Sequence, residues 1–425
     1  MQKLVLFILI LCPLLIAEPV LLGGFSKIDI TPTQPVTLAG YANRTELSTG
    51  VHDSLSARVL AFQSGDEKLV LVSTDVIGFY SGTAALFRET LLKEFDLQPS
   101  QLFLSAIHTH AAPSITLNSE RGHANNIEYT KNLQQKLVIA IEQAMSDMQP
   151  IKLGTGTGSS PVGVNRREVM YDEVGNPRTW LGRNPNGVQD KQVSVVKITA
   201  ANDTLKTVLW EYAAHSTSLG WENFRISGDL HGLAEQFVER YLGNGVIAPA
   251  FVGASGDIDP WYRVLPGFET KNGWIPEPVL MATLLGQEVV HVLRNIDSTK
   301  KAAPIKSRFH TLNLPGKPSE ENTETHEEQV QIPLNVSVAR LGDVAFVGLG
   351  GEILSEIGMA IKTASPFDNT IIITHCNGTA GYLPPQHRYV EGGYEVNTSP
   401  FASTAADRLV NHVVRQLHQL YEETE

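Results

Sequence analysis

The chain has 425 residues, 42% hydrophobic and 18% charged, which is enough to bury a large core and unlike a disordered or low-complexity composition. Its 45 acidic and 33 basic side chains give a formal net charge of −12, with no run of Lys or Arg. That balance excludes nucleic acid as an expected partner and disfavours tight attachment to an anionic membrane.

The chain opens on Met1-Gln2-Lys3, an apolar stretch from Leu4 to Ala17, and Glu18-Pro19. This is the basic and apolar pattern of an export signal, too short for a span of about 20 apolar residues. Residues 1–17 are therefore expected to be a signal peptide and 18–425 one large folded unit, periplasmic or extracellular. Leu15 is large for the −3 position, so retention of the leader as an anchor is the alternative. Beyond the leader Cys376 is the only cysteine, which excludes an internal disulfide. Tripeptides at Asn43, Asn202, Asn335, Asn377 and Asn397 fit the glycosylation pattern, which has meaning only in a eukaryotic secretory pathway.

In chain order, β-branched and apolar runs predict strands at Leu69 to Thr74, Gln101 to Ile107, Val193 to Ile198, Val246 to Val252, Val344 to Leu349 and Thr370 to Thr374. Between them, helical periodicity covers Thr83 to Glu94, Ile127 to Met148, Leu230 to Tyr241, Pro278 to Asn295, Ile353 to Thr363 and Ser403 to Tyr421. The alternation predicts an α/β or mixed α+β fold with mixed sheets flanked by helices. Pro315 to Gln329, rich in Glu and Thr, reads as an exposed loop or solvated helix. Arg340-Leu341-Gly342-Asp343 reads as a hairpin turn. The string Gly154-Thr155-Gly156-Thr157-Gly158 resembles a phosphate loop but is followed by Pro161 and Asn165 rather than a helix, so it is expected to be an ordinary loop.

Chemistry-bearing residues cluster at strand ends. Ser105 to Pro113 contains His108 and His110, two positions apart, which on a strand would share a face and reach one metal or divide ligation from proton transfer. A hydrogen-bonded structural pair is the plainer reading. His215 follows the apolar run Trp210 to Ala214, a place where a lone histidine is more often simply buried. Ser227-Gly228-Asp229 and Gly256-Asp257-Ile258-Asp259-Pro260 suit loop geometry. Glu352 after Gly350-Gly351 can turn inward or serve a helix N-terminus, and Tyr382 alone would be called a packing aromatic.

Taken together these residues resemble the neutral, non-lysosomal ceramidase family. The resemblance runs through Asp29-Ile30-Thr31-Pro32, Ala39-Gly40-Tyr41, Ala57-Arg58, Ser73-Thr74-Asp75, His108/His110, Asn165-Arg166, His215-Ser216-Thr217-Ser218, Ser227-Gly228-Asp229, Gly256-Asp257, Gly351-Glu352 and Gly381-Tyr382. It covers nearly the whole chain after the leader. It implies a catalytic domain over 18–425 holding one zinc by His108, His215, Glu352 and Tyr382, with His110, Arg166 and Tyr394 as catalytic residues beside it. Tyr389 is the alternative for the second tyrosine. The implied activity is hydrolysis of an N-acyl bond, in ceramide or a related N-acyl lipid, with transient contact at a membrane surface. Zinc in such a site acidifies water and polarises the carbonyl.

Departures from the family pattern bear on substrate. In the family an immunoglobulin-like domain follows the catalytic one, whereas this sequence is expected to close with the helix near Tyr421 and to lack it. Arg167-Glu168, His215-Ser216 and the stretch Gly256-Asp257-Ile258-Asp259-Pro260-Trp261 also differ from the family pattern. Ser255 in Gly253-Ala254-Ser255-Gly256-Asp257 does not form a Gly-x-Ser-x-Gly elbow, which excludes a serine hydrolase of that type. Two rivals stand: a barrel-type metal amidohydrolase, which would place His-x-His on its first strand, and a non-catalytic lipid- or glycan-binding homologue.

Overall fold

The computed structural model describes residues 20–423 apart from 81, 263–276, 302–303 and 319–329. The leader and most of the polar segment after Pro315 lie outside the described residues. In chain order the strands are β1 (Leu22–Asp29), β2 (Gly50–Val51), β3 (Ser56–Ser64), β4 (Glu67–Thr74), β5 (Leu102–Ala106), β6 (Gln149–Ser159), β7 (Gly163–Tyr171), β8 (Pro177–Asn184), β9 (Gln192–Ala200) and β10 (Leu205–Tyr212). They continue with β11 (Arg225–Ile226), β12 (Ala250–Val252), β13 (Ile258–Pro260), β14 (Ile305–Pro315), β15 (Gln331–Leu341), β16 (Val344–Leu349), β17 (Glu352–Ile353), β18 (Asn369–Ile373) and β19 (Tyr382–Leu383). The helices are α1 (Thr83–Glu94), α2 (Ala124–Ser146), α3 (Asp229–Leu242), α4 (Glu277–Arg294), α5 (Ser355–Ala364), α6 (Arg388–Glu391), α7 (Tyr394–Thr398) and α8 (Ala405–Glu422).

Hydrophobic alternation dictates four layers. On β3, Val59 and Ala61 face a cluster with Phe87 and Leu91 of α1 and Leu133 and Leu137 of α2. Leu60 and Phe62 face the other way, onto Phe346 of β16 and Ile371 and Ile373 of β18. On β16, Ala345 and Val347 turn outward to Ile357 of α5 and Leu409 and Val413 of α8. Helices α3 and α4 cover the rest of the first sheet through Leu230, Leu285 and Val289. Two sheets thus pack face to face between two helical layers. Strands buried on both faces read as continuous apolar runs, which is how they were visible in the sequence.

The larger sheet runs β12-β10-β9-β6-β1-β3-β4-β5 and the smaller β14-β15-β16-β18. The larger sheet is open, with β12 and β5 as edge strands, which removes the barrel alternative. Across seven strand-to-strand steps a twist of about 20–25° each swings the edges through roughly 150°. The loops leaving β5 and β10 meet side by side, with Thr109 bridged in parallel to Ser216.

Four segments differ from the expectations. The segment 154–158 is the middle of β6, not a loop. Its alternate glycines let α4 and the following turn lie against the strand: a Cβ at Gly156 would stand 2.9 Å from Ile296, and one at Gly158 2.4 Å from Val292. The strand predicted at Val246 to Val252 shortens to β12, and the helix predicted from Ile353 begins at Ser355 because Glu352 and Ile353 form β17. Finally, Asn377 is buried and its side chain bonds the Leu104 N–H, the Leu102 carbonyl and the Ser337 hydroxyl along the edge of β5. That amide is committed to the fold rather than offered to a glycan.

Candidate active site

The site lies where chain segments leave β4, β5, β10, β16 and β18. Strand β5 ends at Ala106, so His108 and His110 are not strand residues as expected. His108 takes left-handed backbone, φ 56°, uncommon for a residue with a Cβ. This kink, rather than a shared strand face, brings the two imidazoles to a centroid distance of 4.8 Å. His215 follows β10 and lies 4.8 Å from His108, ring to ring. One nitrogen from each of His108, His110 and His215 falls within 4.8 Å of the others.

Glu352 and Tyr382 arrive together for a topological reason. Strands β17 and β19 are paired in parallel with Glu352 opposite Tyr382, so two residues thirty positions apart become lateral neighbours. The Tyr382 hydroxyl accepts from Arg166 Nη2 at 3.1 Å. Arg166, on β7, is held by Glu395 through Nε at 2.7 Å and by Asp259 through Nη1 at 3.2 Å. Glu395 also takes Arg167 at 2.6 Å, and Asp259 takes Arg183 at 3.2 Å. The guanidinium is thereby fixed with Nη1 3.5 Å from His215 Nε2.

Tautomers follow from the acceptors. His108 Nδ1 lies 2.8 Å from the Ile77 carbonyl, and His215 Nδ1 lies 2.8 Å from that of Ser255 and 3.1 Å from that of Ile258. A carbonyl only accepts, so both Nδ1 atoms carry the proton and both Nε2 atoms present lone pairs. These lone pairs face Glu352 Oε2 at 3.6 and 3.5 Å, and that oxygen is buried with no hydrogen-bond partner. Three electron-rich atoms turned on one point, with their outer positions tied to backbone carbonyls, form a donor set fitted to a cation.

His110 differs. Its Nε2 is 3.3 Å from His108 Nε2, so it is the donor of that pair, and its Nδ1 is buried without a partner. Burial, then the neighbouring His108 and His215, push its pKa well down. Instead of a hydrogen bond at Nδ1, Gly40 and Tyr41 hold the ring: Tyr41 packs edge-on at 5.1 Å, and Gly40 lies against it with φ 96°.

A cavity of about 340 Å³ opens onto this set, lined by Ile77, Tyr80, Ile115 and Tyr394 as well as His108, His110, Glu352 and Tyr382. Tyr394 is half exposed at its mouth and meets Tyr382 edge-on at 5.6 Å. Tyr389 bonds the Phe401 carbonyl at 2.8 Å, and of the two tyrosines it is Tyr394 that lines the cavity. All seven sequence-predicted residues therefore converge.

Sequence reasoning missed Tyr80, His375 and the structural part played by Asp259. His375 is buried and stacks on His108 at 3.8 Å and 13°, with neither ring nitrogen partnered. Its signal was available, since His375 follows a strand end as His108 and His215 do.

A family model described as neutral/alkaline non-lysosomal ceramidase, N-terminal, matches residues 21–260. Neutral ceramidase B of Dictyostelium discoideum is 29% identical over 254 residues, 56% of this chain and 35% of that protein. The neutral ceramidase of Oryza sativa subsp. japonica is 28% identical over 244 residues, 55% of this chain and 30% of that protein. The matched region is about a third of these relatives' length. The crystal structure of neutral ceramidase from Pseudomonas aeruginosa has the same fold, with TM-score 0.77 over 95% of this chain and 75% of that one at 18% identity. The family match carries His108, His110, Arg166 and His215, while Glu352, Tyr382 and Tyr394 lie beyond it and are joined to them by the fold. By its sequence over residues 21–260 the chain belongs to the neutral/alkaline non-lysosomal ceramidase family.

Proposed function

We propose that this protein is a zinc-dependent hydrolase that cleaves the N-acyl bond of ceramide or a related N-acyl lipid. The observation that carries the reading is the inward convergence of the His108 and His215 Nε2 lone pairs on the unpartnered Glu352 Oε2, on the wall of a cavity. His108, His215, Glu352 and Tyr382 would hold one zinc. When bound, the zinc supplies an acidified water and a polarised carbonyl. Relatives named neutral ceramidase, and a solved structure of the same fold described as ceramidase complexed with C2, support the substrate class.

The chain's own residues then divide the work of one hydrolysis. Water adds its oxygen to the carbonyl carbon, the C–N bond breaks, and a proton reaches the departing nitrogen, giving a fatty acid and an amine. His110 moves that proton, because its depressed pKa keeps it neutral and its ring faces the cavity. Arg166, locked by Glu395 and Asp259, offers donors to oxygen charge as it develops on the tetrahedral carbon. Tyr394 at the mouth contacts the substrate beyond the scissile bond. Exported protein is expected to work outside the cytoplasm, beginning after Ala17.

Metal content of the purified chain, together with hydrolysis of N-acyl sphingosines of graded acyl length and of N-acyl amino acids, tests the proposal. One zinc per chain and release of fatty acid and amine from at least one N-acyl lipid are expected. Stoichiometric zinc with no hydrolysis across the panel would favour the non-catalytic binder, and a protein that takes up no zinc would overturn the site assignment.

A further inference from the structure

Arg44 lies in the strap that follows Ala39-Gly40-Tyr41, and it is 5% exposed, far below what a surface arginine shows. Its guanidinium joins three segments distant in sequence. Nη2 donates to the carbonyls of both Ala39 and His110, and Nη1 donates to the Asn223 carbonyl at 2.8 Å. Two of these carbonyls belong to the strap and to the histidine beneath it. Carbonyl oxygens turned toward one another repel, and a cation with forked donors between them converts the repulsion into two charge-assisted hydrogen bonds. The third carbonyl lies in the loop that follows His215, so the same guanidinium ties both histidine-bearing loops to the strap.

The strap is what holds the His110 ring. His108 and His215 are fixed by hydrogen bonds from Nδ1 to carbonyls, whereas His110 Nδ1 has no partner. Apart from the Nε2 contact with His108 at 3.3 Å, its orientation rests on the Tyr41 edge contact and on the close approach of Gly40, and Arg44 also sits over the Tyr41 ring with Cζ 5.0 Å from its centroid. Backbone bonds alone attach the strap at one remove from the ring, through Ala39 N–H to the Ala112 carbonyl at 2.9 Å.

We propose that Arg44 is the positioning residue of His110, clamping the Ala39–Tyr41 strap over the imidazole and so fixing where its Nε2 points. The inference rests on the hydrolase reading for its kinetic consequence, but the geometric claim stands apart from it. Arg44 touches no reacting atom; it acts through the strap.

The test compares Arg44→Met and Arg44→Lys in the full zinc-loaded chain with Arg88→Met. Arg88 is a buried arginine that also donates to two carbonyls, Leu102 at 2.9 Å and Pro99 at 3.0 Å, away from the site. A displacement near 1 Å at a catalytic group costs about 10²-fold in rate. Arg44→Met should therefore lower kcat roughly 10- to 100-fold with KM and zinc stoichiometry unchanged, and Arg44→Lys should recover part of the loss. Arg88→Met should lose thermal stability without losing kcat. Independently of activity, the ring ¹H–¹⁵N correlations of His110 in metal-free protein should shift in Arg44→Met and stay in place in Arg88→Met. Native kcat in Arg44→Met, an equal kcat loss in Arg88→Met, or zinc lost along with turnover would each overturn the proposal. If Arg44→Met fails to fold, Arg44→Lys decides alone: an unshifted His110 ring with native kcat refutes it. If the native chain hydrolyses nothing, the hydrolase reading fails, and the ring correlations still decide the positioning claim.

Discussion

Replacing Gly40 by alanine puts a methyl group where His110 already stands. A Cβ built there lies 2.3 Å from Nδ1, 2.4 Å from Cγ and 2.8 Å from Cβ of His110. Carbon atoms in contact rest at about 3.5–4.0 Å, so ring or strap must move by roughly an ångström. The backbone adds its own cost, since φ is 96° and left-handed geometry costs a residue with a Cβ about 1–2 kcal/mol. Overpacking adds about 1–3 kcal/mol. Gly175→Ala isolates the first cost, because Gly175 has φ 86° with nothing within 4 Å of its Cβ. Urea unfolding should show Gly40→Ala less stable than native by about 2–5 kcal/mol and less stable than Gly175→Ala. Turnover should fall about 10²-fold through the displaced imidazole. Zinc should remain, because the carbonyls of Ile77 and Ser255 still fix His108 and His215. A Gly40→Ala protein as stable as Gly175→Ala, with native turnover, would refute the cradle.

Other outcomes follow from buried charge. Arg58 is fully buried and pairs with Glu235 at 2.6 Å, Glu239 at 2.7 Å and Asp75 at 3.3 Å, so Arg58→Met should cost about 3–5 kcal/mol in denaturant unfolding. A loss under 1 kcal/mol would show those carboxylates to be neutral without it. Burial lowers the His231 pKa to about 4. This is below the 6.5 of a free imidazole, so the unfolded chain binds the extra proton between the two values, and stability that is full above pH 6.5 drains as pH falls. From pH 6.5 to 5 the native chain should lose about 2 kcal/mol more than His231→Phe does, and parallel pH profiles would contradict this. Glu395→Gln leaves one amide oxygen for two arginines, so Arg166 should loosen and kcat should fall about tenfold with zinc retained; unchanged kcat would remove Arg166 from the oxyanion role.

The sequence made the helices legible because their apolar stripes are long: α1 spans the predicted Thr83 to Glu94 without change. The doubly buried strands β4, β5, β9, β16 and β18 were legible for the same reason. Strands β7 and β8 were not, because Arg166 and Arg167 turn charge inward onto Glu395 while Tyr171 and Trp180 turn aromatic surface outward, which inverts the usual pattern. The seven candidate site residues were legible as a family pattern, but their geometry was not. A left-handed backbone at His108 and a two-residue parallel pairing of Glu352 with Tyr382 are non-local outcomes that no periodicity announces. His375 escaped because it follows a strand end yet belongs to none of the motifs that carry the family pattern. The glycines of β6 were misread because their partner, α4, lies more than a hundred residues downstream.

In the proposed function His108 belongs to the metal and His110 to the proton, although the two rings are 4.8 Å apart. Zinc stoichiometry and N-acyl lipid hydrolysis measured on His108→Ala and His110→Ala test it most directly. His108→Ala should lose both metal and activity, while His110→Ala should keep one zinc and lose about 10²- to 10⁴-fold in turnover. A His110→Ala protein that loses its zinc while His108→Ala keeps it, or two variants that both keep zinc and full activity, would contradict it.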